Sequence, residues 1–385
     1  MKITRRSALA VAAGLPIARL AAAPASLAKD GALLIAGVPT FLNGLYQLPN
    51  HSEPHRAAAA AGFQVVHAGV KPGDLDSAHA HGLSCWLTTG SISPARRDQD
   101  RQRIAALVNQ FKQHPALLFW ETEDEPSYQW KKSGPRVPPE VIRETYAYLR
   151  SLDPAHPVYL NHPPTNLVST LQSYNPGGDI LGTDIYPVIP HGIRDMYALW
   201  PDGRQGDLLN THISQVGPYA DKLRQVAGPS RAVVMVLQAF AWENLRDKGR
   251  DPAMVLYPTR DQLRFMACQS IVHGANGLLW WGLQFTPAAA PLWDDLAAVT
   301  RELRTLDREL VAPRAKLPLR IEYHDTGHSL DRGIEWIARR SASGTLLMAV
   351  NADPNPVRVT WTGLPGGPLT EQYAPFDVKI HKLPQ

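Results

Sequence analysis

The sequence predicts a (β/α)8 barrel followed by a small antiparallel β domain. Two patterns and one absence carry that reading. Strand-like apolar runs alternate with helix-like segments eight times between residues 33 and 311, the usual size of an eight-unit barrel. After about residue 316 the helical segments stop, and short β runs separated by Gly, Asp, Asn and Pro replace them, as in a sheet built from hairpins. A doubly wound sheet is the alternative for the first part. It would not require eight units, and no Gly-x-Gly-x-x-Gly or phosphate-binding loop follows any strand.

Taken in order, the first strand is expected at 33–41, before a loop rich in Pro, Asn and Gly. An Ala-rich helix at 56–61 stops at Gly62, a second strand covers 63–67, and a helical turn at 75–81 stops at Gly82. The third strand is 83–89. The helix at 96–114 follows, with Ile104, Leu107, Val108 and Phe111 at helical spacing. The fourth strand is the apolar run Ala116 to Trp120. Pro138 and Pro139 suit the first turn of the helix continuing through 140–152. Strands five to eight are placed at 158–161, 180–186, 232–240 and 277–282, with helices at 207–227, 259–272 and 292–310. Five short strands are expected in the last part, at 321–323, 334–338, 345–351, 357–361 and 378–381.

Residues 1–28 read as an export signal rather than as part of the fold. Arg5-Arg6 precede an apolar stretch from Leu9 to Leu20 and a small-residue run ending at Ala28. Paired arginines imply the twin-arginine route and a periplasmic or secreted protein. Pro16 and Arg19 interrupt the apolar centre, making it a poor membrane span. The barrel is then 29–315 and the β domain 316–385. The segment holds Lys2, Arg5, Arg6 and Arg19 and no acids, so the formal charge of +4 falls to zero without it. Charge therefore makes no case for nucleic acid or an acidic membrane as partner. Cys85 and Cys268 read as buried, unpaired thiols.

The chemistry concentrates at residues 114–126, HPALLFWETEDEP, where Glu121, Glu123, Asp124 and Glu125 follow the apolar run and Pro126 ends it. In a parallel barrel the C-terminal strand ends line the active site. Glu125 is the expected catalytic acid and Asp124 its substrate-binding neighbour, against the bland alternative of a solvated acidic loop. Neighbouring strand residues face opposite ways, so one of the pair is expected inward and the other sideways.

In the order His114-Pro-Ala-Leu-Leu-Phe-Trp120, Asp124-Glu125-Pro126, Leu152-Asp-Pro-Ala-His-Pro157, Asp184-Ile-Tyr-Pro187 and Gly277-Leu-Leu-Trp-Trp-Gly282, the chain resembles the large clan of (β/α)8 glycoside hydrolases. That clan places an acid/base Glu after strand four and a nucleophilic Glu after strand seven. The resemblance covers 33–311 and implies a carbohydrate substrate and no cofactor. It places Glu125 as acid/base, Asp124 where the clan has an Asn on the sugar 2-hydroxyl, Trp281 as the aromatic platform, and Asp184 and Tyr186 at the end of strand six. The chain departs from the clan at strand seven, where Gln238 stands at the nucleophile position. An amide cannot form the glycosyl-enzyme ester of a retaining mechanism.

Three readings remain. Hydrolysis inverts, with Asp184 or Glu243 activating water across about 6.5–9.5 Å; or a 2-acetamido group of the substrate is the nucleophile, oriented by Asp124; or the barrel is a catalytically silent glycan binder. Gln238, Trp242 and His162 complete the expected substrate contacts. Glu121 and Glu123 read as shaping the barrel mouth, Glu243 by default as a loop acid, and Asp184 equally as a turn cap. The pairs His51/His55 and His79/His81 have metal-like spacing but no accompanying motif, so no metal is expected. No Gly-x-Ser-x-Gly elbow is present. Trp336 and Trp361 read as core of the small sheet.

Overall fold

The computed structural model describes residues 24–128, 134–193, 212–324 and 332–383. Eight parallel strands close into a barrel: β4 (Leu42–Leu45), β5 (Val65–His67), β6 (Ser84–Thr88), β7 (Leu117–Asp124), β8 (Val158–His162), β9 (Ile180–Ile185), β10 (Ala232–Gln238) and β11 (Gly277–Trp281). They neighbour in chain order, and β11 returns to β4 to close the ring. The helices between them are α1 (Pro54–Ala61), α2 (Pro72–Ala80), α3 (Arg97–Phe111), α4 (Pro139–Leu152), α5 (Val168–Gln172), α6 (Val216–Ala227) and α7 (Arg260–Val272). After β11 come α8 (Leu292–Arg304) and α9 (Asp307–Leu310).

The period-two alternation sorts side chains between two cores. Val233, Met235 and Leu237 of β10 face the helices, while Ala232, Val234 and Val236 face the barrel axis. Helix α7 shows how local chemistry sets an end: Thr259 caps it, and Gln262 reciprocates in a capping box. The segment 207–211, expected as helix, lies outside the described residues, and the last expected helix is broken into α8 and α9.

The first strand is corrected. The apolar run beginning at Leu33 is not a barrel strand. Residues Leu33–Ile35 (β2) pair antiparallel with Ala25–Leu27 (β1) and with Val38–Pro39 (β3). Ala25, Leu33 and Ile35 pack under Leu42, Val65, Val234 and Leu279, so this ribbon closes the N-terminal end of the barrel. The apolar sequence satisfied a floor as well as it would have satisfied a strand. The ribbon starts inside the segment read as an export signal.

The C-terminal part is two three-stranded antiparallel sheets: β12 (Arg320–Tyr323) with β15 (Val357–Thr362) and β16 (Leu369–Tyr373), and β13 (Ile334–Ser341) with β14 (Gly344–Asn351) and β17 (Val378–Leu383). Strand β16 had no counterpart in the sequence reading. Between the sheets lie Ile334, Ala349, Val359, Trp361 and Tyr373, and Trp336 meets Trp361 edge-on at 6.1 Å. Leu346, Met348 and Val350 join the outer core of the barrel with Phe265 and Met266 of α7. Cys85 and Cys268 are buried free thiols. No helix among the described residues is long and apolar enough to cross a membrane.

Candidate active site

The site forms at the C-terminal mouth of the barrel, where inward positions turn from apolar to polar. On β7, Glu121 faces inward and is buried. It accepts from Thr88 Oγ1 at 2.7 Å and Trp86 Nε1 at 3.1 Å, and Tyr46 Oη lies 3.3 Å away. Burial and then the nearby Asp124 charge push the Glu121 carboxyl up to about 7.

Strand β7 then leaves ideal register. Its pairing to β8 shifts between Glu121 and Asp124, which brings Asp124 opposite Asn161. This irregularity rotates Asp124 inward, and its Oδ1 accepts from Asn161 Nδ2 at 2.9 Å. Glu125 follows at φ +44°, a left-handed conformation that costs a non-glycine residue about 1–2 kcal/mol. Its N–H is fixed by Asn161 O at 3.1 Å. The alternation rule expected the pair to diverge. The register shift and left-handed turn instead bring Asp124 and Glu125 into one electrostatic cluster.

Asp184, inward on β9, completes the cluster. Asn161 Nδ2 also donates to Asp184 Oδ1 at 2.8 Å, so one amide bridges two acids. The Glu125 carboxyl and the Tyr186 hydroxyl adjoin Asp184 closely enough that each shifts the others' titration. Burial, then the charges of Asp184 and Asp124, hold Glu125 well above the usual carboxylate range. Burial and Asp124 push Asp184 up to about 8. Asp124 sits at the rim, accessible to water, and the surrounding barrel wall still raises it. Arg136, donating to Asp124 O at 2.9 Å, is the opposing cation. A shared proton between Glu125 and Asp184 relieves what two adjacent carboxylates would cost.

Beside the acids, Tyr186 stacks on Trp281 with ring centroids 5.4 Å apart and planes at 22°. Phe240 meets the Trp281 face edge-on at 5.1 Å. Trp281 is only partly buried and presents the exposed aromatic surface of this group.

Four expected contacts are placed elsewhere. Gln238 is fully buried. Its Oε1 accepts from Val188 N at 2.8 Å, and its Nε2 donates to Val188 O at 2.9 Å and Phe240 O at 3.0 Å. It staples β10 to the loop after β9, which needs a group that both donates and accepts. Glu243 is buried and held by Arg246 Nε at 2.8 Å and Asp251 N at 2.7 Å. Trp242 lies behind Tyr186, donating to its carbonyl at 3.2 Å. His162 follows the outward parity of β8, packs on Tyr174, and is fully buried. Sequence reasoning missed Asn161, Tyr46 and Tyr159 as site residues. Tyr46 Oη lies 3.1 Å from Tyr159 Oη, which donates to Asn161 Oδ1 at 3.2 Å, linking Glu121 to the dyad. The alternation Tyr159, Asn161 on β8 was the available signal. Among the described residues, no group of three His, Cys, Asp or Glu side chains could hold a metal ion.

No family model matches the chain, and no curated protein matches it. Solved structures do. A family 42 β-galactosidase of G. stearothermophilus is similar with a TM-score of 0.53 at 9% identity, over 90% of this chain and 98% of that one. A family 5 glycoside hydrolase of Bacteroides vulgatus is similar with a TM-score of 0.52 at 13% identity, over 93% and 89%. A family 5 mannosidase of Rhizomucor miehei gives 0.50 at 10% identity, over 74% and 98%. The chain spans 60% of the length of the Marinomonas β-galactosidase it also matches. At these identities the likeness establishes the barrel fold.

Proposed function

We propose that this protein is a glycoside hydrolase with Glu125 as general acid. The observation that carries the reading is the Glu125–Asp184 pair at the barrel mouth, beside the Tyr186–Trp281 stack. Burial and neighbouring acids hold a proton on Glu125 near neutral pH, which a general acid needs. Sugar rings pack their C–H faces on aromatic surfaces such as Trp281. The glycosidases among the structural neighbours support a carbohydrate substrate by analogy of fold. Export by the twin-arginine route into the periplasm is part of the same proposal.

Among mechanisms, the geometry favours substrate assistance. An inverting pair stands about 6.5–9.5 Å apart to admit water, and a retaining pair about 5–5.5 Å. Asp184 adjoins Glu125, and Glu243 and Gln238 are committed elsewhere. The nucleophile is then the carbonyl oxygen of a 2-acetamido group on the substrate. Glu125 gives its proton to the glycosidic oxygen as the anomeric C–O bond breaks. The acetamido oxygen bonds to the anomeric carbon, while Asp124 holds the amide N–H. Water activated by the Glu125 carboxylate then opens this cyclic intermediate. Asp184 serves as the partner that keeps the proton on Glu125.

The absence of a free carboxylate on β10 favours a second reading, a silent glycan-binding barrel. Turnover and binding of N-acetylhexosamine oligomers separate the two. An enzyme loses turnover on Glu125→Gln and keeps affinity. A binder turns over in neither form and loses affinity on Trp281→Ala.

A further inference from the structure

A cavity opens on the barrel rim between the end of β6 and the start of α3, with a volume of about 520 Å³. Its lining runs from Thr88 to Arg103 and includes Glu123, with no aromatic or aliphatic side chain apart from the threonine methyls. Two of these residues adjoin the acid cluster. Thr88 donates to Glu121 at 2.7 Å, and Glu123 lies on β7, one residue before Asp124. The cavity thus borders β7, the strand that carries Glu121 and Asp124.

The charges in the cavity are compensated except for one. Asp100 is buried, accepts from Ser93 N at 3.0 Å and faces Arg103 at 3.4 Å. Arg103 is further tied to Thr89 O. Glu123 accepts from Ser91 at 3.0 Å and faces Arg136 at 3.7 Å. Arg96 is exposed, and while its backbone N–H donates to Ser93 O at 3.0 Å, its guanidinium makes no hydrogen bond or ion pair among the described residues. A free guanidinium among hydroxyl and amide groups suits a hydroxylated ligand carrying a carboxylate, which it can hold through two parallel hydrogen bonds.

We propose that this cavity is a saccharide subsite for a hexuronate, with the sugar carboxylate on Arg96 and Gln99 and Ser91 at its hydroxyls. The inference rests on the glycosidase reading and narrows it. The substrate class becomes acidic oligosaccharides in which a hexuronate adjoins an N-acetylhexosamine.

The test compares hyaluronan and heparosan tetrasaccharides, which carry hexuronates in two linkages, with neutral chitotetraose. Affinities are measured by calorimetry on Glu125→Gln, so that turnover does not intervene, and on Glu125→Gln combined with Arg96→Gln. At least one acidic tetrasaccharide is expected to bind about tenfold more tightly than chitotetraose, equivalent to about 1.4 kcal/mol. Removing Arg96 is expected to erase that preference, with most of the loss on the acidic ligand. Equal affinities for acidic and neutral tetrasaccharides, or a preference that survives Arg96→Gln, overturn the subsite. Failure of the glycosidase reading looks different: the intact protein turns over none of the three, whatever the binding preference.

Discussion

The two halves of the barrel interior obey opposite rules. At the N-terminal end, Leu42, Val65, Val234 and Leu279 close over Ala25, Leu33 and Ile35. The side chains clustered there are apolar, and each large one contributes about 1.5–3 kcal/mol by leaving water. At the C-terminal end, β7 and β9 bring Glu121, Asp124 and Asp184, with Glu125 just beyond β7, into one polar group bridged by Asn161. That half works against stability. It gathers acids whose burial disfavours their charge, and it holds Glu125 in a left-handed turn. The same alternation therefore serves packing below and chemistry above, and only the residue types tell which.

The contrast can be broken from below. Phe119 is fully buried between Trp86 and Tyr159. Phe119→Ala is expected to cost about 3–5 kcal/mol, read by denaturant unfolding. A loss under 1 kcal/mol would mean the lower half is not the stabilising one.

Gln238 belongs with the lower half in its role, although it sits near the mouth. Gln238→Glu installs the carboxylate found in related barrels opposite two carbonyls, Val188 O and Phe240 O. It is expected to destabilise by about 2–4 kcal/mol and to yield no turnover gain. A stable variant with new activity would place the residue in the site after all.

His162 and Asp184 set opposite pH windows. Burial lowers His162 to about 3, and neither ring nitrogen has a hydrogen-bond partner among the described residues. The unfolded chain takes up its proton first, so stability is lost as pH falls below about 6.5 towards 3. His162→Leu is expected to gain about 1–3 kcal/mol at pH 5 and less at pH 8, by thermal unfolding at the two values. Equal gains would assign the effect to packing alone. Asp184 is pushed up to about 8, above its unfolded value. Its contribution is full below about pH 4 and is lost as pH rises through 8. Asp184→Asn is thus expected to add about 1–2 kcal/mol at pH 8. It also removes a charge that raises Glu125, so the alkaline limb of the activity profile moves to lower pH. An unmoved limb would separate the two groups.

The legible part of the sequence was the part governed by apolar runs. The runs at 116–120 and 180–186 located two strands and so Glu125 and Asp184 near their ends. Three features escaped for physical reasons. The run at Leu33 has the composition of a strand, and nothing local distinguishes a barrel strand from a floor ribbon. The register shift after Glu121 depends on pairing with β8, not on β7 itself. Gln238 was read from its position in related barrels, and only the loop at Val188 shows that its amide is already spent. Asn161 was accessible by parity with Tyr159, but it carries no charge to draw attention.

The most direct test of the account is how the effect of Glu125→Gln depends on the leaving group. Initial rates would be measured for chitotriose, whose departing sugar needs a proton, and for 4-nitrophenyl N-acetylglucosaminide, whose nitrophenolate does not. The account predicts a loss of about 10²–10⁴ on chitotriose and a much smaller loss on the aryl glycoside. Equal losses on both, or full activity of the variant on chitotriose, would contradict Glu125 as the general acid.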